Sequence, residues 1–190
     1  DFERRDNYVY AANRRELEAE MDALQKINYP AELRESLPLP IQTAGAVKFP
    51  QQAQFHPLKF LAEIAKGLHI CENTVVREML GNTAVTNGGK IHAKKVIVTT
   101  HFPFLNKHGS YFLKLYQHRS YVIALEGTAD LAGMYVDESK TGLSFRNYGD
   151  LLLLGGGSHR TGKKGGDWQE VRTFAGIHYP QVREMARTME

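Results

Sequence analysis

The apolar positions change period several times along the chain, and each change predicts an element. Tyr8 to Ala11 is a short apolar run that predicts a strand. Leu17, Met21 and Leu24 then recur at spacings of four and three, with Glu16, Glu18, Glu20 and Lys26 between them. That pattern predicts an amphipathic helix over 14–26, capped by Asn13 with Glu16 three residues on. Pro30, Pro38 and Pro40 predict an irregular stretch. A strand is expected over 41–49, ended by Pro50. Residues 51–55 lead into a second helix that starts at Pro57, presents Phe60, Leu61, Ile64 and Leu68 as its apolar face, and stops at Gly67.

Residues 68–101 read as four short strands joined by tight turns, with Gly81-Asn82 and Asn87-Gly88 expected to supply positive φ angles. Val96 to Val98 is a continuous apolar run, which predicts a strand buried on both faces. Residues 103–115 are expected to be irregular. Strands follow at 120–126, 133–136, 142–147 and 150–154. Asp167 caps a last helix, with Glu170 completing a capping box and Val171, Phe174 and Ala175 lining it. Pro180 interrupts that helix, and further helix is expected to the end. Strands outnumber helices, so the fold class is α+β, a mainly antiparallel β-sheet with flanking helices.

Composition narrows the function classes only a little. The chain has 190 residues, 42% of them hydrophobic and 24% charged, as in an ordinary globular domain. The net charge is +3, and Lys94-Lys95 and Lys163-Lys164 are only pairs, so no nucleic-acid partner is indicated. The first residues are no signal peptide and no apolar run approaches a membrane span, so no membrane is expected and the expected compartment is the cytosol. Cys71 is the only cysteine, which excludes an intrachain disulfide and any site needing two thiolates. It falls in an expected strand, as a buried, inert thiol.

Three features of the sequence carry candidate chemistry. Gly157-Ser-His-Arg-Thr-Gly162-Lys163 follows the apolar run Leu151 to Leu154 and fits the spacing of a phosphate loop. Such a loop needs Ser or Thr next, to hold magnesium, and position 164 is lysine; Gly165-Gly166 also breaks the helix that should open there. A flexible strand-to-helix connection is the better reading. The eight histidines show no H-x-x-x-H or H-E-x-x-H spacing, so no metal is expected. Tyr111, Phe112, Tyr116, Tyr121, Phe145 and Tyr148 concentrate aromatics between 111 and 148. They form either a sheet core or the wall of an apolar pocket.

Three stretches resemble one family. They are Gln52-Ala-Gln-Phe-His-Pro-Leu-Lys-Phe-Leu61, then Glu72-Asn-Thr-Val-Val76 through Val96-Ile-Val-Thr-Thr100, then Phe145-Arg-Asn-Tyr-Gly-Asp-Leu-Leu-Leu-Leu-Gly-Gly-Gly-Ser-His159-Arg-Thr-Gly162. In order and spacing they are similar to the central part of the D-amino-acid oxidase (DAO) superfamily of FAD-dependent oxidoreductases, the group with glycine, sarcosine and γ-glutamylputrescine oxidases. The resemblance implies that residues 1–190 form one substrate-binding unit lacking the Rossmann-type N-terminal unit, within which 68–103 belongs to the FAD domain of the full-length family. It implies FAD contacts at Val76, on the adenine side, and at Thr99, Thr100 and His101, on the flavin side. The family usually has Ala at position 99 and a small residue at 101, so His101 departs from its pattern. It places Arg119, Tyr121 and Arg146 on strands facing the substrate cavity, where an arginine holds a carboxylate by a bidentate pair.

The expected function is therefore the substrate-binding portion of an enzyme that oxidises the C–N bond of an amine or amino acid. FAD is expected in the full-length parent and not on this chain alone, which is expected to be inactive. Its partners would be the small-molecule amine or amino acid and the FAD-binding domain of the parent. A Rieske-fused oxidoreductase is the second possible parent, with its Cys and His ligands beyond residue 190. The alternative is a free-standing α+β binding module without cofactor.

Overall fold

The computed structural model describes residues 2–101, 104–105, 110–139 and 142–189. In chain order these form β1 (Phe2–Arg4), β2 (Asn7–Ala11), α1 (Arg14–Lys26), β3 (Glu32–Arg34), β4 (Gly45–Phe49), β5 (Ala53–Phe55), α2 (Pro57–Ile64), β6 (Val76–Leu80), β7 (Thr83–Thr86), β8 (Gly89–His92), α3 (Tyr111–Lys114), β9 (His118–Glu126), β10 (Met134–Asp137), β11 (Ser144–Tyr148), β12 (Leu151–Arg160), α4 (Trp168–His178) and β13 (Arg183–Met189). The chain divides into two units, residues 1–60 with 117–190, and residues 61–116.

The first unit holds an eight-stranded sheet in the order β13-β9-β12-β11-β10-β2-β4-β3. Every pairing is antiparallel except β10 with β2. Because side chains alternate across a strand, the register assigns them to two faces. On one face Tyr121, Ile123 and Leu125 lie opposite Gly156, Leu154 and Leu152, and Phe145 and Asn147 continue the rows. Val171 and Ala175 of α4 close this face into the larger core, with Trp168 and Phe174 packed beside them. The Asp167 side chain caps α4 by accepting from the backbone N–H groups of Gln169 and Glu170. On the other face, Leu17 and Leu24 of α1 pack on Ala11 and Val47 at the far end of the sheet. Asn13 caps α1, its side chain accepting from the Arg15 N–H.

Asn147 ties the sheet to the connection that precedes β10. It is 2% exposed; its Oδ1 accepts from the Leu131 N–H, its Nδ2 donates to the Ala129 carbonyl, and its own carbonyl accepts from Gln54 Nε2.

The second unit is a three-stranded antiparallel meander, β6-β7-β8, with α3 and irregular chain. Four strands were expected here and three are present; 68–72 has no strand. In the turns, positive φ falls on Gly81 and Gly89, and not on Asn82, Asn87 or Gly88. The asparagines act as clamps instead. Asn87 accepts from the Val75 N–H and donates to the Asn73 carbonyl, and Asn82 donates to the Lys94 carbonyl.

Other expectations change as well. Val96 to Val98 forms no strand and is exposed, Ile97 by 84%. Cys71 is exposed and outside any strand. The 41–49 strand is shortened to β4, and Ile41 packs on the core from the preceding connection. β3 was hidden among the prolines. Of the stretch expected to be irregular, 103 and 106–109 lie outside the described residues, and Tyr111–Lys114 is a short helix. The chain after Pro180 is β13, drawn out as the edge strand beside β9 rather than helix.

Candidate functional site

Beyond the part that α1 covers, the second face of the sheet, opposite the face that carries α4, has a half-exposed row. Met134 lies opposite Arg146, which lies opposite Leu153, and Val136 lies opposite Ser144, which lies opposite Gly155. Arg146 thus shares this face with Ser144, two residues or roughly 7 Å along β11. Beside Ser144 opens a cavity of about 370 Å³. Val122 and Val136 are its apolar lining; the rest is Ser120, Ser139, Ser144, Ser158, Asp137, Glu138 and glycine. Ser120 and Ser158 hydroxyls lie 3.1 Å apart across β9 and β12. Gly155 is needed here, since a Cβ would strike the Ser144 hydroxyl. Asp137 is held in place: its Oδ1 accepts from the Ser139 N–H at 2.8 Å. Burial first, and then the Asp137 carboxylate, raise the pKa of the Tyr10 hydroxyl, which donates to the Leu143 carbonyl.

The glycine-rich run is strand as far as Arg160, the end of β12, and only 161–167 connect it to α4. Residues 151–156 pair regularly with β9, and the register shifts between Gly156 and His159. Gly157, at φ +64°, is the inserted residue, a bulge of the kind that needs a left-handed glycine. The returning loop lies directly on it. A Cβ on Gly157 would sit 3.1 Å from the Tyr121 ring and 3.2 Å from Asp167 N, and one on Gly166 would strike the Gly157 backbone. Gly165 packs in the same way on His159. These glycines allow two backbones to touch, so their N–H groups do not converge on a phosphate.

Past the bulge, Arg119 lies opposite His159. The His159 ring stacks on Tyr121 at 5.9 Å, and Tyr121 meets Trp168 edge-on at 5.1 Å. Tyr121, 7% exposed, is in the core on the face that α4 covers. Phe145 is in the same core, Tyr148 is half-exposed beside His56, and Tyr111, Phe112 and Tyr116 belong to the second unit. Tyr121 and Phe145, as core residues, line no pocket on the second face. Arg119 shares strand parity with Tyr121, and Arg146 does not. Arg119 is also five residues, roughly 17 Å, along β9 from Ala124, the residue in the row of Leu153 and Arg146. The two arginines therefore belong to different ends and faces of one sheet. Sequence reasoning missed the serines of the cavity, which no motif marks, and treated His159 only as part of a motif.

In the second unit Val76 opens β6 opposite Thr86 and is half-buried. Thr99 and Thr100 lie outside regular structure and are exposed, as is His101, at φ +56°. Among the described residues no three His, Cys, Asp or Glu side chains group as metal ligands. No described helix is long and apolar enough to cross a membrane.

A family model described as DAO, FAD dependent oxidoreductase, matches residues 1–189. The chain is 28% identical over 200 residues to the putative Rieske 2Fe-2S iron-sulfur protein YhfW of Bacillus subtilis (strain 168), covering 96% of this chain and 38% of that protein. Its fold matches glycine oxidase from Geobacillus kaustophilus with a TM-score of 0.70 at 17% identity, covering 97% of this chain and 58% of the other. Glycine oxidase from Bacillus cereus ATCC 14579 gives 0.67 at 17% identity, with 99% and 60% covered. L-proline dehydrogenase from P. horikoshii gives 0.69 at 13% identity, with 100% and 60% covered. The chain thus spans well under half of the curated relative and about three fifths of these structures.

Proposed function

From its place in the DAO family of FAD-dependent oxidoreductases, to which this chain belongs, we propose that it is the substrate-binding portion of an enzyme oxidising the C–N bond of an amine or amino acid. The observation that carries this reading is Arg146 on the uncovered sheet face beside a polar cavity. There its guanidinium is offered to a substrate carboxylate, for which its planar fork is suited. Arg119, opposite His159, is the second candidate arginine, and Tyr121 supports the sheet from behind rather than touching substrate from this face.

FAD, when bound, supplies the two-electron acceptor for the C–H bond next to nitrogen. The residues present fit part of that cofactor. Main chain at Val76 would meet the adenine side, and Thr99, Thr100 and His101 the flavin side. The glycines packed against their own loop supply no diphosphate cradle. The contribution of this chain is to bind and orient substrate.

The second unit supports the same division. Within 61–116 no described residue is fully buried, and Leu61, Ile64, Leu68, Val75, Leu80 and Ile97 are all more than half exposed. A unit with that much open apolar surface is made to be covered, and in this proposal the FAD-binding domain of the parent chain covers it.

Two measurements test the reading. The chain expressed alone is expected to be colourless; a yellow protein with a flavin spectrum would overturn the claim that its own residues do not hold FAD. The gene expressed with its flanking sequence is expected to give a flavoprotein bleached anaerobically by an amine or amino acid. A flavin that no such compound bleaches refutes the proposed activity.

A further inference from the structure

The lining of the cavity beside Ser144 says more about the substrate than its family does. Resting on the reading that Arg146 holds the carboxylate, we infer that the substrate carries a side chain that donates hydrogen bonds, such as an ammonium, hydroxyl or amide group, and not an aliphatic or aromatic one. Within the sheet unit, Tyr121 and Phe145, which would make an apolar pocket, are in the core behind the sheet. What lines the space is Ser120, Ser139, Ser144 and Ser158, with Glu138 and the backbone of Asp137 at the turn and only two valines. A carboxylate accepts hydrogen bonds and a serine hydroxyl can accept them, while the described lining holds no cationic donor.

Volume and position agree with this. About 370 Å³ is at the small end for a ligand site, and the space begins one strand repeat from Arg146 along β11. A substrate anchored there by its carboxylate extends its side chain past Ser144 toward Glu138. Burying an apolar side chain here strips water from hydroxyls and carboxylates without replacing it. A site built to hydrogen-bond its ligand rejects the analogue that lacks the matching group.

The test uses the chain itself and three amino acids that share the same carboxylate and nearly the same length: lysine, norleucine and α-aminoadipate, titrated by calorimetry. Lysine is expected to bind at least about tenfold more tightly than norleucine, with α-aminoadipate the weakest. Glu138→Gln with Ser158→Ala is expected to remove most of the lysine advantage and leave norleucine unchanged. Norleucine or α-aminoadipate binding as tightly as lysine overturns the inference, as does a double variant that keeps the full advantage. Arg146→Met separates the two claims. If it weakens all three ligands alike but lysine holds no advantage, the carboxylate reading stands and this inference falls. If it changes none of them, the Arg146 reading falls, while the ratio of lysine to norleucine still decides the inference. No binding of any of the three at millimolar concentration overturns both.

Discussion

Replacing Gly157 by alanine tests whether the glycine-rich run is a packed bulge. Two costs add at this position. The backbone is left-handed, at φ +64°, which costs a residue with a Cβ about 1–2 kcal/mol. The new methyl would also press on Tyr121 Cδ2 at 3.1 Å, Asp167 N at 3.2 Å and Asp167 O at 3.3 Å. Two of those three are backbone or backbone-bound atoms that cannot swing away, and overpacking of this kind costs a further 1–3 kcal/mol or so. Gly162 is the internal control. Its φ is +82°, but a Cβ there meets nothing within 4 Å, so Gly162→Ala carries the backbone cost alone, about 1–2 kcal/mol. The assay is urea unfolding followed by fluorescence of Trp168, the only tryptophan, whose ring meets Tyr121 beside the bulge. The signal therefore reports on the first unit. Gly157→Ala is expected to exceed Gly162→Ala by at least about 1 kcal/mol. Losses that agree within about 0.5 kcal/mol would mean that the loop does not press on the bulge, and that the run is the loose connection its sequence suggests.

Two further outcomes are expected. Asn147→Leu leaves the Leu131 N–H without its side-chain acceptor in a site 2% exposed, so a loss of about 1–3 kcal/mol is expected in the same unfolding assay; an unchanged midpoint would refute the role given to this side chain. Acid should also destabilise the chain. The Arg5 guanidinium lowers the pKa of Asp130, Lys48 lowers that of Asp6, and Arg172 lowers that of Glu184. Folded values below the unfolded ones give stability that is complete above the ordinary carboxylate range, about pH 4, and is lost as pH falls through the folded values. Asp130→Asn is expected to flatten that acid limb, and a slope identical to the parent protein's would count against the pairing with Arg5.

Local rules carried the elements whose partners lie close in sequence. The stripe of Leu17, Met21 and Leu24 with Asn13 before it gave α1 at its observed bounds, and Asp167 gave the start of α4. Distant pairing overrode the local signal elsewhere. Residues 183–189 include helix-forming Arg, Glu, Met and Ala, yet they are strand because β9 offers an open edge to them. Val96 to Val98 shows the converse. An apolar run predicts burial only if something packs on it, and within 61–116 nothing described does so.

The site was legible residue by residue but not as an arrangement. The pattern Ser144-Phe-Arg-Asn-Tyr148 already places Phe145 inward and Arg146 outward by alternation, and the structure agrees. Arg119 and Tyr121 alternate by the same rule within β9. What the sequence does not contain is which face of β9 continues which face of β11, because that depends on the register through β12, and β12 carries an extra residue at Gly157. Up to Gly156 the rows run straight, so Tyr121 and Phe145 share the covered face and Arg146 takes the open one. The bulge then resets the pairing so that Arg119 meets His159 at the end of the sheet. Two arginines that look interchangeable in the sequence therefore sit about 17 Å apart along the strand direction, more than one small amino acid spans. A single carboxylate has to choose between them, and Arg146, which shares the open face with the cavity that Ser144 lines, is the one this reading favours.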